Sequence, residues 1–262
     1  MHKFKSFDIA EVPQNGPQAF FPCMIIVQAR MGSTRLPGKV LKPVLGKPLL
    51  SYLVERLRRV QYIEGIVIAT STNPIDDEIA SFCDAHSLHC FRGSEDDVLG
   101  RYYAAAEAFD LEVVVRITAD CPLIDPKLID RALFCMRTHY DELDYLSNAL
   151  ERTFPRGMDI EIIRFDALKE AFYHAKEKSE REHVTPFIIK QPGHFKLGNF
   201  FQKQDESRHR LTVDTVEDFT LIRYILEELY PKNSEFDLQD IMRLLDTHKE
   251  WEKINQHVMQ KS

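Results

Sequence analysis

A run of basic residues follows the first strongly apolar segment of the chain. Residues 28–47 contain five basic side chains and no acidic one, although the formal net charge of the chain is −7. The basic residues are Arg30, Arg35, Lys39, Lys42 and Lys47. Gly32, Ser33 and Thr34 can turn the backbone so that its N–H groups point at one anion, and the arginines and lysine add cationic donors. The segment therefore predicts a triphosphate site.

Two common phosphate-binding motifs are missing from this stretch. It contains neither the G-x-x-x-x-G-K-[ST] pattern of a P-loop nor the G-x-G-x-x-G pattern of a dinucleotide-binding fold. The alternative to a triphosphate site is a solvated basic loop without a ligand. The reversal of charge within an acidic chain favours the triphosphate site.

Two aspartates end predicted strands farther along the chain. Asp120 follows the β-rich run 112–117, and Asp214 follows a short apolar run and precedes a predicted helix. Because ligands bind at the carboxyl ends of strands in open α/β sheets, both carboxylates can hold Mg²⁺ against triphosphate oxygens. Helix capping is the alternative for Asp214, and Asp218 is expected to be structural.

The elements that must position these residues alternate between strand and helix. Strands are predicted at 24–29, 65–70, 88–91 and 112–117, and helices at 49–60, after Asn73, at 96–109 and at 128–140. This alternation is typical of a mostly parallel sheet covered on both faces, a three-layer α/β/α fold.

The pattern is looser after residue 140. A strand is predicted at 158–163 and another at 195–200, with helices at 166–176, 180–190, 216–229 and 237–258. No linker separates these segments, so residues 23–262 are expected to form a single domain with a C-terminal helical elaboration. Residues 1–22 lack a hydrophobic period and are expected to be a loosely ordered N-terminal extension.

The pattern A-R-x-x-S-x-R-L-P-G-K at residues 29–39 resembles the signature of the sugar-acid cytidylyltransferases, in particular their spore coat polysaccharide relatives. The resemblance extends from about residue 24 to residue 216. It implies a nucleotide-diphospho-sugar transferase-like fold and Mg²⁺ as the cofactor. It also implies transfer of CMP from CTP to a sugar or sugar-acid acceptor, with release of pyrophosphate, in surface polysaccharide biosynthesis.

The resemblance implies roles for residues at matching positions. Asp120 and Asp214 match the metal-binding aspartates and, with Arg35 and Lys39, form the expected catalytic set. Thr118 stands where the family commonly has a glutamine that contacts cytosine, so another nucleobase stays open. The expected nucleotide-binding residues are Ala29, Arg30, Gly32, Ser33, Arg35, Lys39, Arg92, Ser94 and Thr118.

Two later segments are expected to bind the acceptor. Asp159 and Glu161 lie on one face of a predicted strand, and Arg181 and His183 belong to a later helical segment. Carboxylates suit sugar hydroxyls, Arg181 suits an acceptor carboxylate, and His183 is a candidate base. Purely structural roles are the alternative.

Several alternatives stay open at the level of the sequence. A glycosyltransferase with a nucleotide-sugar donor would need an Asp-x-Asp site, which residues 120–122 do not provide. A regulatory nucleotide-binding protein would not need both carboxylates. For Arg92 and Ser94, the alternative is a turn and a helix cap that use Ser94 and Asp96.

Composition excludes other classes of protein. No apolar run approaches the roughly 18 residues of a membrane span, and residues 1–23 lack the features of a signal peptide, which predicts a cytoplasmic location. The negative charge argues against nucleic-acid coating. The five cysteines show no C-x-x-C pair and are expected to be free thiols. The oligomeric state is left open, with a homodimer as one option.

Overall fold

A computed structural model describes residues 4–13 and 21–259 of the chain. Its centre is an eight-stranded sheet, beside which two short strands form a separate antiparallel pair. In chain order, the strands are β1 (Lys5–Asp8), β2 (Cys23–Gln28), β3 (Pro43–Val44), β4 (Lys47–Pro48), β5 (Gly65–Ser71), β6 (His89–Gly93), β7 (Val113–Thr118), β8 (Tyr145–Ser147), β9 (Glu161–Arg164) and β10 (Leu197–Phe201). The pair β3–β4 lies outside the main sheet.

Helices cover both faces of the main sheet. In chain order, they are α1 (Leu49–Leu57), α2 (Asp77–Ala85), α3 (Val98–Ala108), α4 (Pro126–Thr138), α5 (Phe165–His174), α6 (Lys178–His183), α7 (Pro186–Ile189), α8 (Val216–Leu229), α9 (Leu238–Thr247) and α10 (Glu252–Asn255). One apolar core contains side chains of α1, α2, α4, α8 and α9. The other contains side chains of α3, α5 and α7, together with Val184, which follows α6. The predicted three-layer α/β/α architecture is therefore confirmed.

The alternation of side chains along β2 explains how one strand serves both layers. Ile25 and Val27 point into the first core, whereas Met24 and Ile26 point into the second. Successive residues of a strand face opposite sides of the sheet, so an apolar strand without polar interruptions belongs at the centre of a three-layer fold. The strand order is β1-β10-β8-β9-β7-β2-β5-β6.

The register of the central strands brings three segments to one edge of the sheet. β2 and β7 are parallel, with Gln28 opposite Thr118 at their carboxyl ends. β9 runs antiparallel to β7, with Glu161 opposite Arg116, so it begins where β7 ends. The loops after β2 and β7 and the segment before β9 consequently meet at the same edge.

The expectation of a loosely ordered extension is wrong for residues 5–8. β1 pairs in parallel with β10 along its whole length and forms one edge of the main sheet. Phe7 packs against the first core, close to Gly198 of β10. Residues 1–3 and 14–20 lie outside the described residues. The pairing was not visible in the sequence because a four-residue edge strand carries too little hydrophobic period.

Other element predictions are confirmed or corrected by the structure. The helix at 216–229 is confirmed with the same bounds as α8, and the five cysteines are free, as expected. The strand predicted at 158–163 starts only at Glu161, and the helix predicted at 180–190 is two short helices. Within the described ranges, no helix is both long and apolar enough to cross a membrane.

Candidate active site

The basic loop after β2 closes on the carbonyl group of Met31. The Met31 oxygen accepts hydrogen bonds from the N–H groups of Ser33 (2.8 Å) and Gly38 (3.0 Å). Gly38 has a positive φ of 66°, which glycine adopts without strain. The N–H groups of Gly32, Ser33 and Thr34 were predicted to point at one anion. The Ser33 N–H instead donates to the Met31 carbonyl within the loop.

A buried carboxylate that the sequence prediction missed anchors this loop. Asp76 is 1% exposed and accepts a hydrogen bond of 2.7 Å from the Met31 N–H. It also accepts from the hydroxyl and the N–H of Ser71 at the end of β5. Asp76 thus ties the loop after β2 to the neighbouring strand. The sequence indicates the helix start at Asn73 and Pro74 that contains Asp76. It does not indicate that Asp76 would accept a hydrogen bond from Met31.

Lys39 lies between the two aspartates that were predicted to bind metal. Its Nζ is 2.9 Å from Asp120 Oδ2 and 2.8 Å from Asp214 Oδ1. Asp214 Oδ2 also contacts Arg35 (3.0 Å) and Arg210 (2.6 Å). The structure therefore brings together the four residues predicted to be catalytic and adds Arg210, which no sequence motif indicates.

The charges in this cluster control its titration. Burial raises the pKa of Asp214, but Lys39, Arg35 and Arg210 outweigh burial, so the pKa lies below its ordinary value. Burial lowers the pKa of Lys39, but Asp120 and Asp214 outweigh it, so the pKa lies above its ordinary value. Asp214 and Lys39 are consequently both ionised at neutral pH.

A second ring of contacts holds Asp214 in place. Asp218 is fully buried and accepts hydrogen bonds from Arg210 Nε (2.8 Å), from the Asp214 N–H (3.0 Å) and from Asn255 Nδ2 (2.9 Å). The N-cap of α8 is Thr215, whose side chain accepts from the Asp218 N–H. The structural role predicted for Asp218 is confirmed, and the capping role considered for Asp214 is wrong.

Asp120 is oriented by the strand that precedes it. Thr118 donates its hydroxyl proton to Asp120 Oδ1 at 2.5 Å. The Asp120 carbonyl accepts from Val213 N (2.8 Å) and Thr212 Oγ1 (3.1 Å), which joins the loop after β7 to the segment before Asp214. The Thr118 hydroxyl therefore orients a carboxylate, whereas the position of Thr118 in the sequence predicts a contact with the nucleobase.

Gly157 makes the close approach of a third segment possible. Its φ is 96°, and a Cβ atom there would lie 2.4 Å from the Leu211 carbonyl oxygen and 2.7 Å from Thr212 N. The flanking backbone is bonded to the same segment, with Leu211 N donating to Arg156 O at 2.7 Å. Only glycine fits where the chain before β9 crosses the chain that leads to Asp214.

We expect Gly157→Ala to lower the free energy of unfolding by roughly 2–4 kcal/mol and to reduce turnover. The added Cβ must displace backbone that leads directly to Asp214. Denaturant unfolding and kcat/KM test both effects. The matched control is Gly193→Ala, because nothing lies within 4 Å of a Cβ at that position. Wild-type stability and turnover in Gly157→Ala would contradict this account.

The two aspartates form a donor set suited to Mg²⁺. Asp120 and Asp214 contact the same ammonium group, so their oxygens converge on one point. Mg²⁺ is usually held by one or two carboxylates together with substrate phosphates and water. Across residues 4–13 and 21–259, no cluster of three or more histidines, cysteines or acidic residues is suited to a metal. The pair therefore fits an ion that completes its shell from a triphosphate.

A cavity of about 500 Å³ opens at this edge of the sheet. One wall is the basic loop, and the floor is formed by the ends of β2 and β7. The predicted residues that line it are Arg30, Gly32, Ser33, Arg35, Lys39, Thr118, Asp120, Asp159, His183 and Asp214, and the unpredicted ones include Gln28, Arg116, Arg156 and Glu182. Ala29 is buried beneath the loop and donates to Ala69 O at 3.1 Å.

Arg92 and Ser94 do not line this cavity. Arg92 donates to the carbonyl groups of Ser71 (2.9 Å) and Asn73 (3.1 Å). Ser94 Oγ accepts from the N–H of Asp97, and Asp97 caps α3. The predicted nucleotide contacts are therefore replaced by the turn and helix cap, with Asp97 as the capping residue in place of Asp96.

Two of the four predicted acceptor residues are occupied elsewhere. Glu161 is buried and accepts hydrogen bonds from Tyr145 (2.6 Å) and Thr185 (2.7 Å), besides its ion pair with Arg116. Glu161 does not line the cavity. The strand begins at Glu161, so the expected shared face with Asp159 does not form.

Arg181 is the other acceptor residue that the structure removes from the site. Its guanidinium pairs with Asp97, donates to Asp97 Oδ1 at 2.9 Å and donates to the carbonyl of Phe172 at 2.6 Å. These contacts tie α6 to α3 and α5. Asp159 and His183, in contrast, do line the cavity, and their role in acceptor binding stays a prediction.

A basic loop that faces an acidic pair at the carboxyl edge of a parallel sheet defines a nucleotidyltransferase site. The chain belongs to the cytidylyltransferase family, whose sequence pattern matches residues 24–256. The enzyme class and the nucleotide-diphospho-sugar transferase-like fold inferred from the sequence are thereby confirmed.

Individual relatives support this assignment. The chain is 35% identical over 216 residues to spore coat polysaccharide biosynthesis protein SpsF of Bacillus subtilis, covering 78% of this chain and 86% of SpsF. It is 34% identical over 110 residues to 3-deoxy-manno-octulosonate cytidylyltransferase of Geobacter sulfurreducens, covering 41% and 42% of the two chains. A solved cytidylyltransferase from Leptospira borgpetersenii superposes with a TM-score of 0.85 at 32% identity, covering 92% of this chain and all of that one.

Proposed function

We propose that this enzyme transfers CMP from CTP to a hydroxyl group of a sugar or sugar acid, releasing pyrophosphate, in the assembly of a surface polysaccharide. The observation that carries the proposal is the convergence of Arg35 and Lys39 with Asp120 and Asp214 at one edge of the sheet. The names of the spore coat and octulosonate relatives support a sugar or sugar-acid acceptor.

In this reaction the protein positions the acceptor and the triphosphate and stabilises the charge that develops on the phosphates. The acceptor oxygen attacks the α-phosphorus in line, the new O–P bond forms as the α–β anhydride bond breaks, and the electron pair leaves with pyrophosphate. Arg30, Arg35 and Lys39 face the cavity and neutralise charge on the phosphates in the transition state. Asp120 and Asp214 would hold Mg²⁺, which supplies further charge stabilisation to the phosphate oxygens.

The acceptor would occupy the part of the cavity away from the basic loop. Asp159, Glu182 and His183 line the cavity from segments other than the basic loop, as does Arg156. Burial and the nearby Arg152 lower the pKa of Arg156, so its environment favours an anionic partner. Asp159 can accept hydrogen bonds from sugar hydroxyls, and His183 is the candidate group to take the proton from the attacking hydroxyl.

A screen for pyrophosphate release tests this function. Four nucleoside triphosphates are combined with 3-deoxy-manno-octulosonate, other 2-keto sugar acids and neutral sugars, with Mg²⁺ present. We expect CTP to be the preferred donor and at least one sugar or sugar acid to be consumed. Release of a nucleoside diphosphate from a nucleotide sugar, without pyrophosphate from any triphosphate, would instead identify a glycosyltransferase. A different preferred triphosphate would correct the nucleobase, whose expected contact, Thr118, is bonded to Asp120.

We expect Asp159→Ala to raise the acceptor KM about tenfold or more with little change in CTP affinity, because a charged hydrogen bond to the acceptor is lost. Asp159 pairs with Arg152 at the cavity wall and has no contact with the metal-site aspartates in the described structure. Acceptor kinetics and calorimetry with CTP separate the two effects, and the exposed Asp166→Ala serves as the control. Loss of CTP and metal binding in Asp159→Ala would place this residue in the metal site.

A further inference from the structure

The chain makes a strained turn between α6 and α7. Val184 has φ 71° and ψ −54°, and the Thr185 N–H donates to the His183 carbonyl at 2.9 Å, which closes a three-residue turn. A β-branched residue is rarely found at positive φ, and γ-turns of this hand are strained. Such a conformation is energetically unfavourable and persists only when the surrounding structure imposes it.

The following proline does not explain this strain. Pro186 begins α7, and a proline disfavours helical dihedral angles in the residue before it. Thr185 nevertheless has φ −98° and ψ −11°, in the helical region. A simple helix break could have used an extended residue before Pro186. Two unfavourable conformations in succession therefore indicate that the turn is held in this shape by its contacts.

Buried contacts hold the turn on both sides. The Val184 side chain is completely buried in the second core, and its N–H donates to the Glu180 carbonyl at 3.1 Å. Thr185 is 4% exposed, and its hydroxyl donates to Glu161 Oε1 at 2.7 Å. The Thr185 carbonyl accepts from Ile188 N at 3.0 Å, which starts α7.

Glu161 connects this turn to the floor of the cavity. Its carboxylate accepts hydrogen bonds from Thr185 and Tyr145 and forms an ion pair with Arg116. Arg116 lies near the carboxyl end of β7 and lines the cavity. Arg116 Nη2 in turn donates to Gln28 Oε1 at 3.4 Å, directly before the basic loop. The turn is thus tied to the same strands that carry the triphosphate site.

The consequence of the turn is the placement of His183. It is the last residue of α6, and it lines the cavity together with Glu182, whereas the next residue, Val184, is anchored in the core. Any relaxation of the turn would move His183 relative to the cavity. A displacement of about 1 Å in a reacting group can cost on the order of 100-fold in rate.

We infer that Glu161 and Thr185 are positioning residues for the acceptor step. They hold the strained turn at Val184 and thereby fix His183 at the acceptor side of the cavity. Glu161, expected from the sequence to contact the acceptor, acts on it through Thr185. This inference rests on the proposed function for its kinetic consequence, but the placement of His183 can be tested without any substrate.

The test compares Thr185→Val, which removes the hydroxyl at constant shape, with Thr185→Ser, which retains it. In the substrate-free enzyme, the ring ¹⁵N signals of His183 are assigned by their loss in His183→Gln. We expect Thr185→Val to change the chemical shifts and titration of His183 and Thr185→Ser to restore them. The control is Thr138→Val, which removes the hydroxyl that donates to the Phe134 carbonyl at the end of α4. An unchanged His183 signal in folded Thr185→Val would overturn the inference.

Kinetics provide the second arm. With CTP and the best acceptor from the pyrophosphate screen, Thr185→Val should lower kcat/KM for the acceptor by about 10- to 100-fold and shift its pH profile, while CTP affinity stays within about twofold. A merely structural role predicts a lower Tm with unchanged kinetics, which would contradict the inference. If Thr185→Val does not fold, Thr185→Ala takes its place. If the enzyme is inactive in the screen, only the proposed function is contradicted. The His183 signals still test whether Thr185 fixes the position of His183.

Discussion

Lys39→Met is expected to lose most of its turnover and yet to bind a divalent metal ion more tightly when no nucleotide is present. The loss of turnover follows from removing a cation that faces the triphosphate, which typically costs about 2–4 kcal/mol of transition-state stabilisation. The gain in metal affinity follows from the position of the Lys39 ammonium between Asp120 and Asp214.

The charge balance of the cluster explains the second effect. Three carboxylates, those of Asp120, Asp214 and Asp218, are matched by three cations, those of Lys39, Arg35 and Arg210. The cluster is therefore neutral by itself and attracts a divalent cation weakly. A bound triphosphate gives the cations new partners and adds negative charge. Metal binding and triphosphate binding should consequently strengthen each other.

The magnitude follows from Coulomb's law. Removing one positive charge about 4 Å from a divalent ion relieves roughly 2 kcal/mol of repulsion even at the dielectric constant of water. We therefore expect a gain of about 10- to 30-fold in the affinity of Lys39→Met for the metal alone. The same variant should show a smaller increase in metal affinity on adding a triphosphate than the wild-type enzyme does.

Electron paramagnetic resonance titrations with Mn²⁺ measure both affinities, alone and with a non-hydrolysable CTP analogue. The control is Lys232→Met, which removes an exposed lysine paired with Glu228 on α8. If Lys39→Met binds Mn²⁺ alone no more tightly than the wild-type enzyme, Lys39 does not compete for the carboxylates. The assignment of Asp120 and Asp214 as the metal ligands would then be wrong.

The residues of this cluster that could be predicted from the sequence are those whose chemistry is local. Arg35 and Lys39 belong to one short basic segment, and Asp120 comes shortly after a run of β-branched residues. Asp214 stands between a short apolar run and an amphipathic helix whose bounds were also predictable. Strand and helix periodicity places such residues at the carboxyl edge of a parallel sheet without knowledge of any long-range contact.

The residues that could not be predicted depend on which strands become neighbours. Arg210 and Asp76 look like ordinary loop residues until the fold sets them beside Asp214 and Met31. The residue types of Glu161 and Arg181 suit a sugar acid and therefore predict contacts with the acceptor. The structure instead surrounds each of them with partners from distant elements, and no local pattern in the sequence encodes those pairings.

Strand direction and backbone strain also cannot be predicted from the pattern of residues. β9 is antiparallel to both of its neighbours, and its four residues carry no signal of strand direction. The helical period across residues 180–190 does not reveal that Val184 adopts a positive φ, because that conformation is imposed by burial and by the Thr185–Glu161 hydrogen bond.

Asp120→Asn and Asp214→Asn should both lose Mg²⁺-dependent turnover by about 1,000-fold or more, but only Asp214→Asn should also lose stability. Two oxygen donors converge on one point, so removing either charge would weaken the hold on the Mg²⁺ ion proposed to bind there. Asp214 contacts three cations and is 13% exposed at its side chain, whereas Asp120 forms an ion pair with Lys39 alone among the described residues and is 23% exposed.

The stability effect of Asp214→Asn has a defined dependence on pH. The folded-state pKa of Asp214 lies below its ordinary value because the neighbouring cations outweigh burial. The ionised carboxylate therefore stabilises the fold above the unfolded-state pKa of about 3.9, and this contribution is lost as the pH falls through the folded-state pKa. We expect the variant to be less stable by about 2–3 kcal/mol at pH 7, with the difference shrinking below about pH 4.

Denaturant unfolding at pH 7 and at pH 3–4, together with Mn²⁺ titration and pyrophosphate release, separates the two roles of Asp214. The control is Asp246→Asn, an exposed aspartate of α9, which should match the wild-type enzyme in all three measurements. If Asp214→Asn loses stability but keeps full turnover, Asp214 only braces Arg210 and the basic loop. Asp120 would then need a different partner for the metal. If both variants lose turnover and Mn²⁺ binding and only Asp214→Asn loses stability, Asp120 and Asp214 are the metal ligands.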